Sequence, residues 1–273
     1  MKKFFALLIA ILMMATLVAC SDKDDTGNPL ETLGVDDNTF SNNELGTFTY
    51  EVGVDGHYEI TGYLVNKATE HEVVIPGEIG GVLVTGIGTK AFKSLNCITK
   101  IPLPESVERV GDYAFADCDK LTTVFFTDSV NELGKGLFRD CALINNVDIP
   151  TLVTKIPEEC FFNCPSLSAI DLRGGIDLTV IGKAAFFNCD ALVSFSIPAT
   201  VTEIQETAFY DCDKLAKINV PASVTTIKDA AFAEISSEKL AFPTPEGSAF
   251  AKYFSENFAI NEKDYSHYKL EIK

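Results

Sequence analysis

A phenylalanine preceded by a small or apolar residue returns along the chain at Phe92, Phe115, Phe138, Phe161, Phe186, Phe209 and Phe232. The steps are 23, 23, 23, 25, 23 and 23 residues. A fixed period of this length constrains the fold more tightly than any composition. It demands a stack of like units, each too small to bury its own apolar side and each burying it against its neighbours. The long step holds two extra residues near Arg173-Gly174-Gly175, which read as a loop insertion.

Other positions keep the same period. Three residues after each Phe stand Leu95, Cys118, Cys141, Cys164, Cys189, Cys212 and Ile235. In the first six units Ile98, Leu121, Ile144, Leu167, Leu192 and Leu215 follow. An alternating pair comes next, as in Ile101-x-Leu103 and Val147-x-Ile149, often before Pro104, Pro150, Pro198 or Pro221. Each unit closes on a Val-x-x-Ile step, such as Val224-Thr225-Thr226-Ile227.

Leu-x-x-Ile-x-Ile ends in alternation and predicts a short strand whose fourth and sixth positions point inward. Stacked units lay these strands side by side as a parallel sheet at a spacing of roughly 4.8 Å. Proline ends the ladder and turns the chain. Val-x-x-Ile predicts an opposite, partly extended wall. Gly88, Gly111, Gly134 and Gly182 then permit a tight turn, and x-x-Ala-Phe predicts a helical or 3₁₀ turn.

At these residues the sequence resembles the BspA-like leucine-rich repeat, the short bacterial class with a Cys, Leu, Ile-x-Ile-Pro, Val, Ile-Gly, Ala-Phe pattern. The resemblance is close over residues 84–243 and looser over 46–83. It departs at Leu95, near Gly174, and at Ile235, where the last unit runs one residue short before Phe242-Pro243. The expected fold is therefore a β-rich α/β solenoid: a leucine-rich repeat stack with a parallel sheet on one face, short helical or 3₁₀ turns opposite, and caps at both ends. The resemblance implies a protein that binds other proteins, with adhesion to extracellular matrix or neighbouring cells as its role.

Caps are required because terminal units would otherwise expose the core. Residues 46–83 are the expected N-terminal cap, with "FTYEVGVDGHYEITGY" (48–63) reading as a hairpin about Asp55-Gly56. About seven units fill 84–243. Residues 244–273 form the expected C-terminal cap and tail: Ala249, Phe250, Tyr253 and Phe254 fall at helical spacing, and "YKLEI" (268–272) alternates like an edge strand.

The chain opens "MKKFFALLIAILMMATLVACSDKDD". Lys2, Lys3 and the apolar run to Val18 read as a secretory signal over 1–19. Leu17-Val18-Ala19-Cys20 resembles a bacterial lipobox, in which the peptide is cut before the Cys and the thiol is diacylated. Ser21-Asp22-Lys23-Asp24-Asp25 resembles the acidic tags that send lipoproteins to the exterior of the outer membrane. Residues 20–45 are polar and read as a flexible tether. With 22 basic and 39 acidic side chains, the net charge of −17 repels nucleic-acid phosphates and anionic headgroups. Only the acyl anchor is then expected to hold the protein to a membrane.

Eight cysteines suggest four disulfides. That count fails, because Cys20 goes to lipid and five others occupy one column of the repeat. Neighbours in that column stand about one strand spacing apart with parallel side chains, whereas a disulfide wants Cβ atoms about 3.8 Å apart and turned together. Cys160 takes the small-residue column of Ala91 and Ala114. The ladder reads as packing rather than metal or redox chemistry, and Cys97, off the column, is the one expected exposed thiol. Asp117, Asp140, Asn163, Asn188 and Asp211 also repeat. One such residue per unit is too few oxygens for calcium, so capping of turn amides is the expected role.

No catalytic motif is present: His57, His71 and His267 lie in the flanks, and there is no phosphate loop, nucleophile elbow or His-Glu-x-x-His. No cofactor or metal is expected. A surface remains. The strand positions that point outward carry Lys100, Thr123, Asn146, Ala169, Ser194 and Lys217 in one row, and Pro102, Phe125, Asp148, Asp171, Ser196 and Asn219 in the other. Repeat proteins bind along such faces. Two readings stand: a lipid-anchored binder of proteins, and a glycan-capturing lipoprotein of a nutrient-uptake system. One outward aromatic, Phe125, and no Trp weigh against the second.

Overall fold

The computed structural model describes residues 38–41, 45–172, 177–235, 241–244, 248–257 and 269–272. The signal segment 1–19, Cys20, nearly all of the expected tether, the Gly174-Gly175 loop and His267 lie outside them. The described chain is a parallel β-solenoid of about seven turns, numbered here by their phenylalanines from unit one (Phe92) to unit seven (Phe232).

The N-terminal cap comprises β1 (Thr39–Phe40), β2 (Gly46–Val52), β3 (Tyr58–Val65), β4 (His71–Glu72), β5 (Glu78–Ile79) and β6 (Val82–Ile87). β2 and β3 are antiparallel arms of a hairpin about Asp55-Gly56, with Gly56 at φ +81°. Thr39 and Phe40, at the end of the expected tether, pair with Thr49 and Phe48. Asp55 fastens the hairpin to the stack. It accepts from the His57 N–H, the Thr85 hydroxyl and Arg109 Nη2, and these hold its carboxyl well below the usual carboxylate range.

Each of units one to six contributes two short strands. The first wall is β7 (Ile98–Pro102), β9 (Thr123–Phe125), β11 (Asn146–Asp148), β13 (Ala169–Asp171), β15 (Ser194–Ser196) and β17 (Lys217–Asn219). The opposite wall is β8 (Arg109–Val110), β10 (Glu132–Leu133), β12 (Lys155–Ile156), β14 (Val180–Ile181), β16 (Glu203–Ile204) and β18 (Thr226–Ile227). All pairing within each wall is parallel and in register, unit on unit. β4 and β6 extend the two walls into the cap by pairing with β7 and β8. β19 (Ala241–Thr244), α1 (Ala249–Asn257) and β20 (Lys269–Ile272) close the C-terminal end, β20 pairing parallel with β19.

The segment around each Phe is a run of hydrogen-bonded turns where a helical or 3₁₀ turn is expected. Two residues before the Phe, φ is positive at Lys90, Tyr113, Gly136, Glu159, Ala184, Thr207 and Ala230. Two residues after it, φ is positive at Ser94, Asp117, Asp140, Asn163, Asn188, Asp211 and Glu234. Alternation of hand forbids a helix. It aims every second N–H at the next unit instead: Phe92, Phe115 and Phe138 donate to Ala114, Leu137 and Cys160 at 2.8, 3.1 and 2.8 Å. The Asx column thus fills the left-handed position that Asn and Asp tolerate. Its side chains join across units, Asn188 Nδ2 donating to Asn163 Oδ1 and Asn163 Nδ2 to Asp140 Oδ1. Other residues cap the turn amides, as Asp112 Oδ1 accepts from Lys135 N–H at 2.7 Å.

The core is a spine of rings. Successive Phe centroids from Phe92 to Phe232 stand 5.1–5.7 Å apart, all seven fully buried. Tyr63 of β3 covers one end at 6.0 Å and Tyr253 of α1 the other at 6.1 Å. Such offset stacking adds about 0.5–1.5 kcal/mol per pair to the burial of the rings themselves. A second, half-buried stack runs outside the turns: Arg139 lies over Phe162 at 4.1 Å, then Phe162, Phe187 and Tyr210 follow at 4.8 and 4.9 Å.

Candidate functional site

The outward face of the first wall is built by the pleat. Alternation buries Ile101, Val124, Val147 and Ile218 and turns their neighbours to solvent. Register sets Pro102 beside Phe125, Asn146 beside Ala169, Asp148 beside Asp171, Ser194 beside Lys217 and Ser196 beside Asn219. Lys100 stands beside Thr123. Hydrogen-bonded pairing is interrupted between β9 and β11 and between β13 and β15, so the face is laid out in three sheets.

One feature of this face was not expected. Glu72 pairs with Lys100, which places Val74 two residues on in the row of Pro102 and Phe125. Val74 is 51% exposed and Phe125 52% exposed, with half-buried Pro102 between them. The three make an apolar row across three units, bordered by Glu72, Lys100 and Thr123. Toward the C-terminal end the same row turns polar, through Asp148 and Asp171 to Ser196 and Asn219. The exposed side of the second wall offers less. An open groove of about 320 Å³ follows the glycine column there, lined by Glu132, Lys135, Lys155, Glu158 and Gln205 among others. The Lys135–Glu158 ion pair (3.0 Å) lies along it.

The cysteine column is a structural ladder with a use for its weak donor. Cys118, Cys141, Cys164, Cys189 and Cys212 donate to the carbonyls of Phe92, Phe115, Phe138, Phe161 and Phe186, at 3.0–3.1 Å. Burial pushes the Cys118 and Cys212 thiols up to about 12, and those of Cys141, Cys160, Cys164 and Cys189 also upward. Cys97 corrects an expectation. It is 1% exposed, because the cap closes over it: His71 N–H donates to the Cys97 carbonyl at 2.9 Å, and Tyr63 of the hairpin lies near enough to interact with it electrostatically. All seven cysteines from Cys97 to Cys212 are buried and outside any disulfide. None of the seven is therefore expected to react quickly with a thiol reagent in the native protein, and all seven should titrate on unfolding. Mass spectrometry with a maleimide before and after denaturation checks this; a rapid native adduct on any of them would contradict the packing described.

Among the described residues, no three His, Cys, Asp or Glu side chains gather as a metal site. His57 pairs with Asp55, and His71 contacts the Tyr63 hydroxyl (3.4 Å) and the Thr69 carbonyl (2.7 Å), so both belong to the cap.

The sequence pattern of the BspA type leucine-rich repeat region, in 6 copies, matches residues 85–190 and 179–267. The chain belongs to the BspA-type leucine-rich repeat family. Among solved structures it is similar to a Treponema pallidum leucine-rich repeat protein, at 25% identity and a TM-score of 0.64, over 76% of this chain and 92% of that one. It also matches a leucine-rich repeat protein of Bacteroides ovatus, at 24% identity and a TM-score of 0.44, over 74% and 66% of the two chains. A leucine-rich cell surface protein of Faecalibacterium prausnitzii matches at 21% identity and a TM-score of 0.41, over 76% of each. No curated protein matches the chain. BspA-type solenoids are in general non-enzymatic and suited to protein–protein interaction.

Proposed function

We propose that this BspA-type solenoid is a lipid-anchored cell-surface protein that binds protein partners through the outward face of its first wall, in adhesion to host or bacterial surfaces. The observation that carries the reading is the Val74–Pro102–Phe125 row. A ring and a Val side chain left half in solvent, on either side of Pro102 in one row of a largely polar face, have the form of an interface anchor. The inward residues are buried in the core, whereas Val74 and Phe125 remain about half exposed. No catalytic role is part of the proposal.

Phe125→Ala should leave the melting temperature nearly unchanged, within about 0.5 kcal/mol of stability. It should weaken a partner recovered with the purified protein by about fivefold or more, that is at least ~1 kcal/mol. Asp148→Lys and Asp171→Lys should alter association rate and salt dependence more than stability. If all three variants bind like the unaltered protein, this face is not the site. Binding on a glycan array with no protein partner would favour sugar capture instead.

Anchoring rests on the lipobox-like Leu17-Val18-Ala19-Cys20, followed by the acidic Ser21 to Asp25. Two or more acyl chains hold a protein stably, at about 0.8 kcal/mol per buried CH₂, whereas one is marginal. Cys20→Ala is expected to move the protein from the membrane fraction to the soluble one. The anchor fails as an idea if labelled palmitate never enters the unaltered protein. Surface proteolysis of whole cells tests whether the solenoid faces the exterior.

A further inference from the structure

The apolar row on the first wall is part of a wider patch. Val74 and Phe125 stand half in solvent on either side of half-buried Pro102, so the row dips at its centre. Two residues further along their segments come Pro76 and Pro104, also half-buried. Ile75 and Leu103 between them point into the core, so both prolines share the outward side. Pro76-Gly77 lies against Pro104: Ser106 Oγ donates to the Gly77 carbonyl at 3.0 Å, and a Cβ on Gly77 would stand 3.4 Å from Pro104 Cβ. Val74, Pro76, Pro102, Pro104 and Phe125 thus give an apolar surface with no hydrogen-bonding side chain. The charge around it is mostly acidic. Glu72, Glu105 and, in the next two units, Asp148 and Asp171 border the patch, with Lys100 the cation among them.

Spacing limits what can lie along such a row. Successive units repeat at roughly 4.8 Å, so alternate units stand about 9.6 Å apart. A polyproline II helix repeats every three residues, about 9.3 Å, and drifts by only ~0.3 Å against alternate units. Two turns of α-helix span about 10.8 Å, and same-side residues of a β-strand recur every ~6.8 Å. Both are out of step by roughly 1 Å or more after two units.

We propose that the patch binds a proline-rich segment of a partner protein in the polyproline II conformation, running along the solenoid axis and carrying a basic side chain three residues from the proline that enters the dip. That proline ring sits over Pro102, between Val74 and Phe125. One helical repeat further, two units along, the Lys or Arg meets Asp148, with Asp171 beside it. A segment already in this conformation loses little freedom on docking, and its prolines bring no amide N–H that burial would strand. The assignment rests on the reading that this face binds protein, and adds which kind of segment it takes.

The probe is a nonapeptide of proline with arginine at its centre, titrated at low salt into the isotope-labelled purified protein and followed by amide chemical shifts. Saturable shifts are expected at Val74, Phe125 and Asp148. The same arginine in a Gly-Ser nonapeptide should bind about tenfold or more weakly, and so should the proline peptide with a central glutamate. Phe125→Ala and Asp148→Lys should each weaken the proline probe by about fivefold or more. No saturable shift at these amides up to about 5 mM peptide overturns the assignment, as does a Gly-Ser probe that binds as well as the proline one. Shifts of these amides by cellohexaose alone would give the patch to a sugar, and self-association mapped to them would give it to a second copy; either result overturns it too. The broader reading is judged separately. A recovered protein partner that Phe125→Ala weakens, while the proline probe stays silent, leaves the protein-binding face standing and removes only the polyproline segment.

Discussion

Phe161→Ala is expected to destabilise the solenoid by about 3–5 kcal/mol, the range for truncating a fully buried ring. Phe161 is 0% exposed and lies between Phe138 at 5.5 Å and Phe186 at 5.3 Å. Truncation leaves a hole in the middle of the spine, and both neighbouring rings lose a stacked face. Relaxation is limited, because the backbone on either side is held by the turn ladder. The comparison that makes this specific is the next residue. Phe162 is half-buried in the outer stack, so Phe162→Ala should cost about 1 kcal/mol, little more than its stacking with Phe187. Urea unfolding of the two variants separates inner from outer column. Equal midpoints would show that the ring spine is not what holds the units together.

Gly134→Ala is expected to be nearly as damaging, at about 3 kcal/mol, the upper end of the usual cost of overpacking. A Cβ at Gly134 would collide with the carbonyl carbon of Gly111 and the amide nitrogen of Asp112. Both are backbone atoms of the preceding unit and cannot swing aside as a side chain would. Gly77 supplies the contrast: a Cβ there meets Pro104 Cβ at 3.4 Å, an ordinary contact. Gly77→Ala should stay within about 0.5 kcal/mol. Thermal melts of both variants decide it. A Gly134→Ala protein that melts like the unaltered one would mean that the units stand further apart at this corner than described.

What the sequence shows of this molecule depends on whether a residue's role is set by its own unit or by another one. The Phe and Cys columns were legible because every unit solves the same packing problem with the same side chain. The outward rows were legible for the same reason, since a strand pleat has a fixed period. Val74 was missed because it belongs to the partial repeat of the cap. Irregular pairing shifts the register there between His71 and Glu72, and no Phe marks the unit. Cys97 was misjudged because its burial comes from Tyr63 and His71, supplied by a segment with no repeat to read. The turns around each Phe looked helical because Ala and Phe are compatible with a helix. Only the alternating sign of φ, imposed by bonding to the next unit, excludes one. The outer stack did leave a trace in the pairs Phe161-Phe162, Phe186-Phe187 and Phe209-Tyr210, where the second ring has no place in the core.

The spine is closed at each end by a tyrosine that stands outside the count of Phe units, Tyr63 in the hairpin and Tyr253 in the helix. Both meet a phenylalanine ring, and every interior unit offers the same ring to the unit that follows. Duplication or loss of a whole unit between them would therefore change neither closure. Length becomes a quantity that descent can adjust in whole steps of about 4.8 Å. A lineage carrying this fold could lengthen or shorten its reach by recombination alone, without inventing a new end.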